Sequence, residues 1–427
     1  MTVDTVKTLG REYRQRVIDV ALLRALGAAG AVIIEGARAS GKTMTAMNAS
    51  NSYAFIDDTD IQRILEIAPR SVLEGLAPRL LDEWQVAPEL WNLVRRSVDS
   101  TIEPGQFILT GSALTADDLT RHTGAGRFIR LRQRTMTCSE KLDGARGQVS
   151  IAGLFEGIRP SAYASTGIEL DHVVDHILRP GFPAMTALSP EQSADRLRAY
   201  IDDVARTDIR RLADVRHKPD VIRQLIVAIS RSVATELNYT TLANDVRVVA
   251  PNIDVETISS YVELLQRLFI VESQQPWAPK LRSRARLRVS PKLHLVDASL
   301  AAAALGAGPV HLRNDLETLG MLFESAVIHD LMVFVSAMGG EVRHYRDSNG
   351  KEIDAVAVLA DGRWGAIEVK LGGGQILNGV KSLRSAIDQI DTKTMGDPAF
   401  RLVVTGTGPI LTADDGTVSA PLSALSP

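Results

Sequence analysis

The sequence contains little cysteine and few aromatic residues, and its net charge is close to zero. Its 427 residues include one cysteine, Cys138, which excludes an internal disulfide bond and a cysteine-based zinc site and is typical of a reducing compartment. The 48 lysines and arginines nearly balance the 51 aspartates and glutamates, so any nucleic-acid site must be a local patch. We expect Cys138 to be a small buried side chain without a chemical role.

Long apolar runs are also missing. No run approaches the roughly twenty residues of a membrane span, and the start of the chain lacks the apolar core of a signal peptide. We therefore expect a soluble cytoplasmic protein that makes no membrane contact. The chain is too long for one compact core, and its pattern predicts three domains, residues 1–150, 151–290 and 291–427.

The most specific stretch is AVIIEGARASGKT, residues 31–43. A continuous apolar strand runs into the pattern GxxxxGK[ST] and a helical segment follows, which is the context that a phosphate-binding loop requires. The glycines let backbone N–H groups surround a phosphate, the lysine reaches the β- and γ-phosphates, and the hydroxyl binds Mg²⁺. The stretch predicts an ATP site with Mg²⁺, formed by Gly36, Arg38, Ser40, Gly41, Lys42 and Thr43.

An acidic strand end complements this loop. In APRLLDEWQ, residues 77–85, two leucines of a buried strand precede Asp82 and Glu83. An aspartate at the carboxyl end of a strand suits a ligand that holds Mg²⁺ through water, and the next glutamate suits the base that activates the attacking water. We interpret Asp82 as a Mg²⁺ ligand beside Thr43, and Glu83 as the catalytic base.

Three more polar residues follow in the same region. GQFILTGSA, residues 105–113, predicts a buried strand ending in Thr110 and Ser112. Either residue orients the attacking water, or both are ordinary turn residues, and the sequence leaves this open. In GAGRFIRLR, residues 124–132, Arg127 lies between a helix and a strand. Arg127 is either a finger that reaches the γ-phosphate of a neighbouring subunit, which predicts a homo-oligomer, or a solvated charge.

Together these motifs resemble a bacterial and archaeal family of AAA-superfamily ATPases whose C-terminal half is a domain of unknown function. The resemblance rests on GARASGKT, LLDEWQVAPELWNLVRRSVD, FILTGS and GAGRFIRLR, and it continues through RPGFPAM, SPKLHLVDASL and LGMLFESAVIHDL, so it covers nearly the whole chain. The usual loop of that family reads GPRQxGKT. Ala37 and Ala39 depart from it at positions that spare the phosphate contacts. The resemblance implies ATP binding and Mg²⁺-dependent hydrolysis.

The middle of the chain is helical and contains a winged-helix candidate. Two helical segments are separated by Pro251 and Asn252, and the apolar run LFIV that follows them resembles a wing. The second segment, VETISSYVELLQRL, has two acidic residues and one arginine, which suits packing better than base reading. Five alternating cations then form either a phosphate-binding stripe or a solvated linker: Lys280, Arg282, Arg284, Arg286 and Arg288.

Ionisable residues recur near the end of the chain in KEIDAVAVLADGRWGAIEVK, residues 351–370. Strand residues two apart share a face, so Glu368 and Lys370 point the same way, as do Glu352 and Asp354. The predicted order of a helix, three strands, a helix and a strand resembles the restriction-endonuclease-like core, known as PD-(D/E)xK. That core carries a glutamate, an aspartate and an E-x-K motif, which match Glu324, Asp354, Glu368 and Lys370. Ile353 departs from the motif, where a proline often stands.

That second resemblance implies a metal-dependent nuclease-type site. Asp354, Glu368 and Glu324 would hold Mg²⁺ or Mn²⁺, which prefer oxygen ligands, and Lys370 would hold or deprotonate the attacking water. The alternative is two amphipathic strands joined by a cross-strand ion pair. The matching order of all four residues favours an inherited nuclease-type site, although a fold does not imply an activity.

The sequence thus predicts a multi-domain α/β protein with a P-loop AAA-type ATPase domain, a helical and winged-helix middle, and a restriction-endonuclease-like C-terminal domain. Three functions remain open. The protein is an ATPase coupled to a nuclease, a nucleotide-switched scaffold whose inactive nuclease-like domain binds DNA or protein partners, or a regulatory ATPase that acts on proteins. The nuclease-type residues argue against the third.

Overall fold

The computed structural model describes residues 13–101, 103–113, 126–142, 147–160, 163–278 and 289–427. They form two compact units, one of residues up to Thr135 with Arg267–Phe269, the other of Met136–Gln266 with Ile270–Pro427. The domain boundaries expected at residues 150 and 290 stay predictions. The basic stripe expected from the sequence falls outside the described residues: Lys280, Arg282, Arg284, Arg286 and Arg288.

The first unit is built on a five-stranded sheet in which every strand is parallel to its neighbours. The strands are β1 Ala31–Glu35, β2 Ser52–Phe55, β3 Arg79–Asp82, β4 Phe107–Gly111 and β5 Phe128–Arg132. The helices are α1 Ile18–Leu26, α2 Lys42–Asn48, α3 Thr59–Ile67 and α4 Leu90–Thr101. The strand order is β2-β3-β4-β1-β5. The α/β fold with a mainly parallel sheet that the sequence predicts is confirmed for this part of the chain.

The central strands are apolar because both faces of the sheet are covered. Residues 31–34 of β1 are fully buried, as are Leu80 and Leu81 of β3. On one side Trp91 of α4 stacks on Phe128 of β5, with ring centroids 4.3 Å apart. Because the strands are parallel, the carboxyl ends of β1, β3 and β4 meet at one edge of the sheet. This edge brings the loop after β1 next to the acidic end of β3.

The second unit begins with helices. They are α5 Cys138–Lys141, α6 Ile151–Phe155, α7 Leu170–Leu178, α8 Pro190–Asp203, α9 Ile209–Leu212, α10 Pro219–Arg231, α11 Tyr239–Val246 and α12 Val255–Arg267. A short strand, β6 Val149–Ser150, precedes α6. After α12, strands β7 Val271–Gln274 and β8 Lys292–Leu295 pair antiparallel. The winged helix expected in this segment stays a prediction.

A six-stranded mixed sheet dominates the rest of the second unit, with strand order β13-β14-β12-β11-β10-β9. Its strands are β9 Glu341–Arg346, β10 Glu352–Val358, β11 Trp364–Lys370, β12 Phe400–Thr405, β13 Leu411–Thr412 and β14 Val418–Pro421; β15 Leu425–Ser426 pairs with β6 instead. The helices are α13 Ala298–Leu305, α14 Pro309–Asn314, α15 Leu316–Ala337, α16 Ile376–Ile387 and α17 Thr392–Met395. Strands β9 to β11 are antiparallel, and β12 is parallel to β11.

Helix α15 corrects one expectation drawn from the sequence. It has 22 residues and is apolar enough, by length and composition, to cross a membrane. Most of it is nevertheless buried, because it packs against the mixed sheet and neighbouring helices. A buried core helix of this kind is consistent with a soluble protein.

Candidate functional site

The loop after β1 has the backbone of a tight phosphate-binding turn. Gly41, which precedes the first residue of α2, has a φ of 98°, and Ala39 has a φ of 64°, so two residues of the loop are left-handed. Gly36 is required by space, because an added Cβ would lie 2.0 Å from the carbonyl oxygen of Gln133. Among the described residues no side chain caps the N-terminus of α2, so its first N–H groups can bind an anion in the loop.

Two residues that the sequence analysis missed hold this loop in place. The Arg16 guanidinium donates a 3.0 Å hydrogen bond to the Ser40 carbonyl, and the Gln133 amide donates to the same oxygen over 3.2 Å. Gln133 also donates to Thr45 Oγ1 over 3.0 Å. Arg38 is exposed, whereas Ser40 is fully buried. No local pattern marks Arg16 or Gln133, since both act across long sequence separations.

Lys42 lies at the start of α2 and is 5% exposed. Its Nζ donates a 3.0 Å hydrogen bond to the carbonyl of Ala37, within the loop. Burial lowers the pKa of Lys42 to about 8, although Glu83 and Asp82 partly oppose the shift. The ammonium is thus a desolvated cation that an anionic ligand in the loop would stabilise.

The structure brings Thr43, Asp82 and Thr110 together. Thr43 Oγ1 donates a 3.2 Å hydrogen bond to Asp82 Oδ2, and Thr110 donates to Asp82 Oδ1. Burial raises the pKa of Asp82, against the opposing effect of these two hydrogen bonds. A hydroxyl and a carboxylate side by side form an oxygen donor set that suits Mg²⁺.

Glu83 is fixed by residues of two strand ends. Its backbone is left-handed, with φ 54° and ψ 42°, and its N–H donates to Thr110 Oγ1 over 3.1 Å. The carboxylate Oε2 accepts hydrogen bonds from Ser112 Oγ, at 3.1 Å, and from the Gln85 amide. Thr110 therefore links Asp82 to Glu83, and Ser112 with Gln85 holds the carboxylate. Gln85 is a further residue that the sequence analysis did not single out.

Arg127 lies at the amino ends of the strands, opposite to the carboxyl ends that carry the phosphate-binding loop. It immediately precedes β5, and its carbonyl accepts from the N–H of Ala31 at the start of β1. Its half-exposed guanidinium forms an ion pair with Asp99 of α4. From these amino ends it faces away from the loop of its own chain.

The C-terminal sheet places the second group of predicted residues near one another. The register of β10 and β11 puts Asp354 next to Glu368, and Asp354 Oδ2 accepts a 2.8 Å hydrogen bond from the N–H of Val369. Lys370 Nζ donates to Glu368 Oε1 over 2.8 Å. Glu324 of α15 instead accepts a 2.8 Å hydrogen bond from Lys292 of β8, a residue that the sequence analysis missed.

The electrostatics show that these side chains act on one another. Burial, followed by the charge of Asp354, raises the pKa of both Glu324 and Glu368 to about 7. Burial acts to lower the pKa of Lys292 and Lys370. The neighbouring carboxylates together outweigh this effect, so the pKa of both lysines is raised. A groove of about 800 Å³ is lined by Glu324 and Lys370, so the cluster borders solvent.

The metal-ligand roles expected of Glu324, Asp354 and Glu368 stay a prediction. Among the described residues, no group of three or more His, Cys, Asp or Glu side chains is arranged to hold one metal ion. Two of the expected ligands, Glu324 and Glu368, each make an ion pair with a lysine. Glu352 pairs with Arg346, Oε1 to Nε 3.2 Å, at the neighbouring strand. The pairs of Glu324 and Glu368 are largely buried, whereas the pair of Glu352 is exposed.

Comparison with protein families agrees with the loop geometry. Residues 28–142 match a family described as an AAA domain. This part of the chain is similar to an AAA domain. Beyond the AAA domain, residues 170–311 and 319–425 match two families described as domains of unknown function, DUF8612 and DUF4143.

Two relatives that match over most of the chain are described as uncharacterised. Uncharacterised proteins of Mycobacterium bovis and Mycobacterium tuberculosis are each 25% identical over 374 residues, which is 86% of this chain and 75% of theirs. Among solved structures, AMPPCP-bound DnaA from Aquifex aeolicus is 14% identical, with a TM-score of 0.28 over 61% of this chain and 91% of that one. A DNA replication initiation factor is 15% identical, with a TM-score of 0.23 over 59% and 90%. Likeness at that level carries no functional argument.

Proposed function

We propose that the protein binds ATP with Mg²⁺ and hydrolyses it slowly. The observation that carries this proposal is the hydrogen-bonded set of Thr43, Asp82 and Thr110 beside the buried ammonium of Lys42. Thr43 and Asp82 would hold Mg²⁺, which when bound neutralises phosphate charge. The loop residues Gly36, Arg38, Ser40 and Gly41 would surround the phosphates.

Side chains of the protein carry out the remaining steps of ATP hydrolysis. Lys42 stabilises negative charge on the β- and γ-phosphates. Glu83 accepts the proton of the attacking water, while Ser112 and Gln85 hold its carboxylate through Oε2. Thr110 holds the Asp82 carboxylate in position relative to the backbone N–H of Glu83. The test is phosphate release from ATP by the purified full chain with Mg²⁺, compared with EDTA.

The pH dependence of ATP binding follows from Lys42. Below pH 8 the ammonium of the free protein is charged, whereas above about 8 it loses its proton and binding must take one up. We expect affinity to fall above pH 8, approaching roughly tenfold per pH unit. Calorimetric titrations between pH 7.5 and 9.5 would measure this. Lys42→Arg keeps its charge, so its weaker affinity should stay flat; a flat wild-type profile contradicts the proposal.

Assembly is the second part of the proposal. Because Arg127 faces away from its own loop, it can meet a phosphate only in a neighbouring subunit, and this supports an ATP-favoured homo-oligomer with Arg127 as a finger. Such an arginine must leave its ion pair with Asp99 in the assembly. The oligomer would form between copies of the AAA domain.

Arg127→Ala should bind ATP normally and assemble, while its hydrolysis falls by about a hundredfold or more, since fingers contribute at least that much. Mixing it with Glu83→Gln should restore part of the activity, because one mixed interface combines an intact finger with an intact base. Arg63→Ala removes an exposed arginine of the same unit and is the matched control. A protein that stays monomeric with ATP by light scattering would exclude the finger.

For the C-terminal part we propose a restriction-endonuclease-like domain that binds nucleic acid without cutting it. The order α15, β9, β10, β11, α16, β12 and the placing of Asp354, Glu368 and Lys370 on neighbouring strands support the fold. The ion pairs of Glu324 and Glu368 favour a binding role over Mg²⁺- or Mn²⁺-dependent cleavage. Gel shift and cleavage assays on DNA and RNA, with ATP and either metal, separate the two roles.

A further inference from the structure

Lys292 is a buried cation at the carboxylate cluster, and the nuclease motif has no counterpart of it. It is the first residue of β8 and is 8% exposed, and its Nζ lies 2.8 Å from Glu324 Oε1. An ammonium so far from water needs a partner, because an unpaired buried charge is costly. The pair joins a strand of the two-stranded sheet to the long core helix α15.

The influence of Lys292 extends beyond that pair. The charges of Glu324 and Asp354 both act to keep Lys292 protonated. Across the cluster, Glu324, Asp354 and Glu368 supply three carboxylates, and Lys292 with Lys370 supplies two ammonium groups. The cations therefore offset most of the negative charge that a divalent metal would otherwise neutralise.

We propose that Lys292 is the resident cation of this cluster and that it competes with divalent metal for the same carboxylates. This proposal concerns the C-terminal cluster of the proposed binding domain. A metal ion that binds Oε1 of Glu324 must displace Lys292 from it, and an ion at either oxygen would face the ammonium's repulsion. The second oxygen of Glu368, Oε2, is buried and has no well-formed hydrogen bond among the described residues, and only the Ser382 side chain also acts on this carboxylate, so this oxygen is weakly held.

The test is Mn²⁺ binding by the nucleotide-free full chain, followed by electron paramagnetic resonance of the free ion. Wild type should bind Mn²⁺ weakly at this cluster, whereas Lys292→Met, which keeps the length of the side chain, should bind at least about tenfold more tightly. Lys381→Met is the matched control, because Lys381 is an exposed lysine of the same unit. Adding Asp354→Asn to Lys292→Met should remove the gain.

Two results would overturn the proposal: equal Mn²⁺ affinity for wild type and Lys292→Met, or a gain that survives Asp354→Asn. If Lys292→Met does not fold, Lys292→Gln, which keeps a donor toward Glu324, is compared in the same way. A parallel cleavage assay separates the proposals. Tighter Mn²⁺ binding by Lys292→Met supports the role of Lys292 whether or not the variant cleaves nucleic acid. Cleavage by wild type in Mn²⁺ refutes only the proposal that the C-terminal domain binds nucleic acid without cutting it.

Discussion

Replacing Glu83 by glutamine is expected to reduce ATP turnover by about 100-fold or more while leaving ATP affinity nearly unchanged. A glutamine amide cannot accept the proton of the attacking water, and general-base catalysis contributes about 10²- to 10⁴-fold. Glutamine can still pair with Ser112 and Gln85, so the fold around it should persist. Single-turnover hydrolysis and binding of a fluorescent ATP analogue measure the two quantities separately.

Two further variants define how that result is interpreted. Lys42→Ala should lose ATP binding itself, because it removes the buried ammonium of the loop. Glu89→Gln, an exposed glutamate six residues along the chain, should behave as wild type. If wild type, Glu83→Gln and Lys42→Ala all hydrolyse ATP at one rate, the activity does not arise from this site.

Removing Glu324 is expected to destabilise the second unit by about 3–5 kcal/mol, the usual cost of breaking one side of a buried ion pair. In Glu324→Ala, Lys292 would stay buried with its nearest carboxylate gone. The shared charge of Asp354 offsets part of the loss, which places the expectation at the lower end of that range. Urea unfolding of the full chain, followed by tryptophan fluorescence, gives the free energy.

The double variant Lys292→Met with Glu324→Leu is the decisive comparison. It removes both charges and fills the space with apolar atoms, and such replacements of buried pairs are often neutral or stabilising. We expect its stability to lie within about 1 kcal/mol of wild type. A double variant as unstable as Glu324→Ala would show that packing of the glutamate, and not its charge, stabilises α15.

The nucleotide site was largely predictable because its chemistry is encoded in short contiguous motifs. Gly36, Lys42 and Thr43 belong to one turn, and a parallel sheet necessarily brings Asp82 to the same edge. Thr110 contacts Asp82 and Ser112 contacts Glu83, and whether either residue orients the attacking water stays a prediction.

What escaped prediction depends on contacts between distant residues. Arg16 and Gln133 reach the carbonyl of Ser40 from positions 24 and 93 residues away, and Gln85 reads as an ordinary polar residue after a strand. In the C-terminal domain the order of strands was readable, but Lys292 precedes Glu324 by 32 residues and no motif links them. Pairing across elements decides whether carboxylates are free for a metal, and such pairing leaves no local signature.

The single cysteine has a practical consequence for experiments on this chain. Cys138 is buried, its N–H donates to Asp330, and burial raises the pKa of its thiol to about 12, so little thiolate forms at neutral pH. Maleimide dyes should therefore leave the unmodified protein unlabelled. A cysteine introduced at an exposed position of either unit would take a dye selectively, without first removing Cys138, and fluorescence could then follow each unit through an ATP cycle.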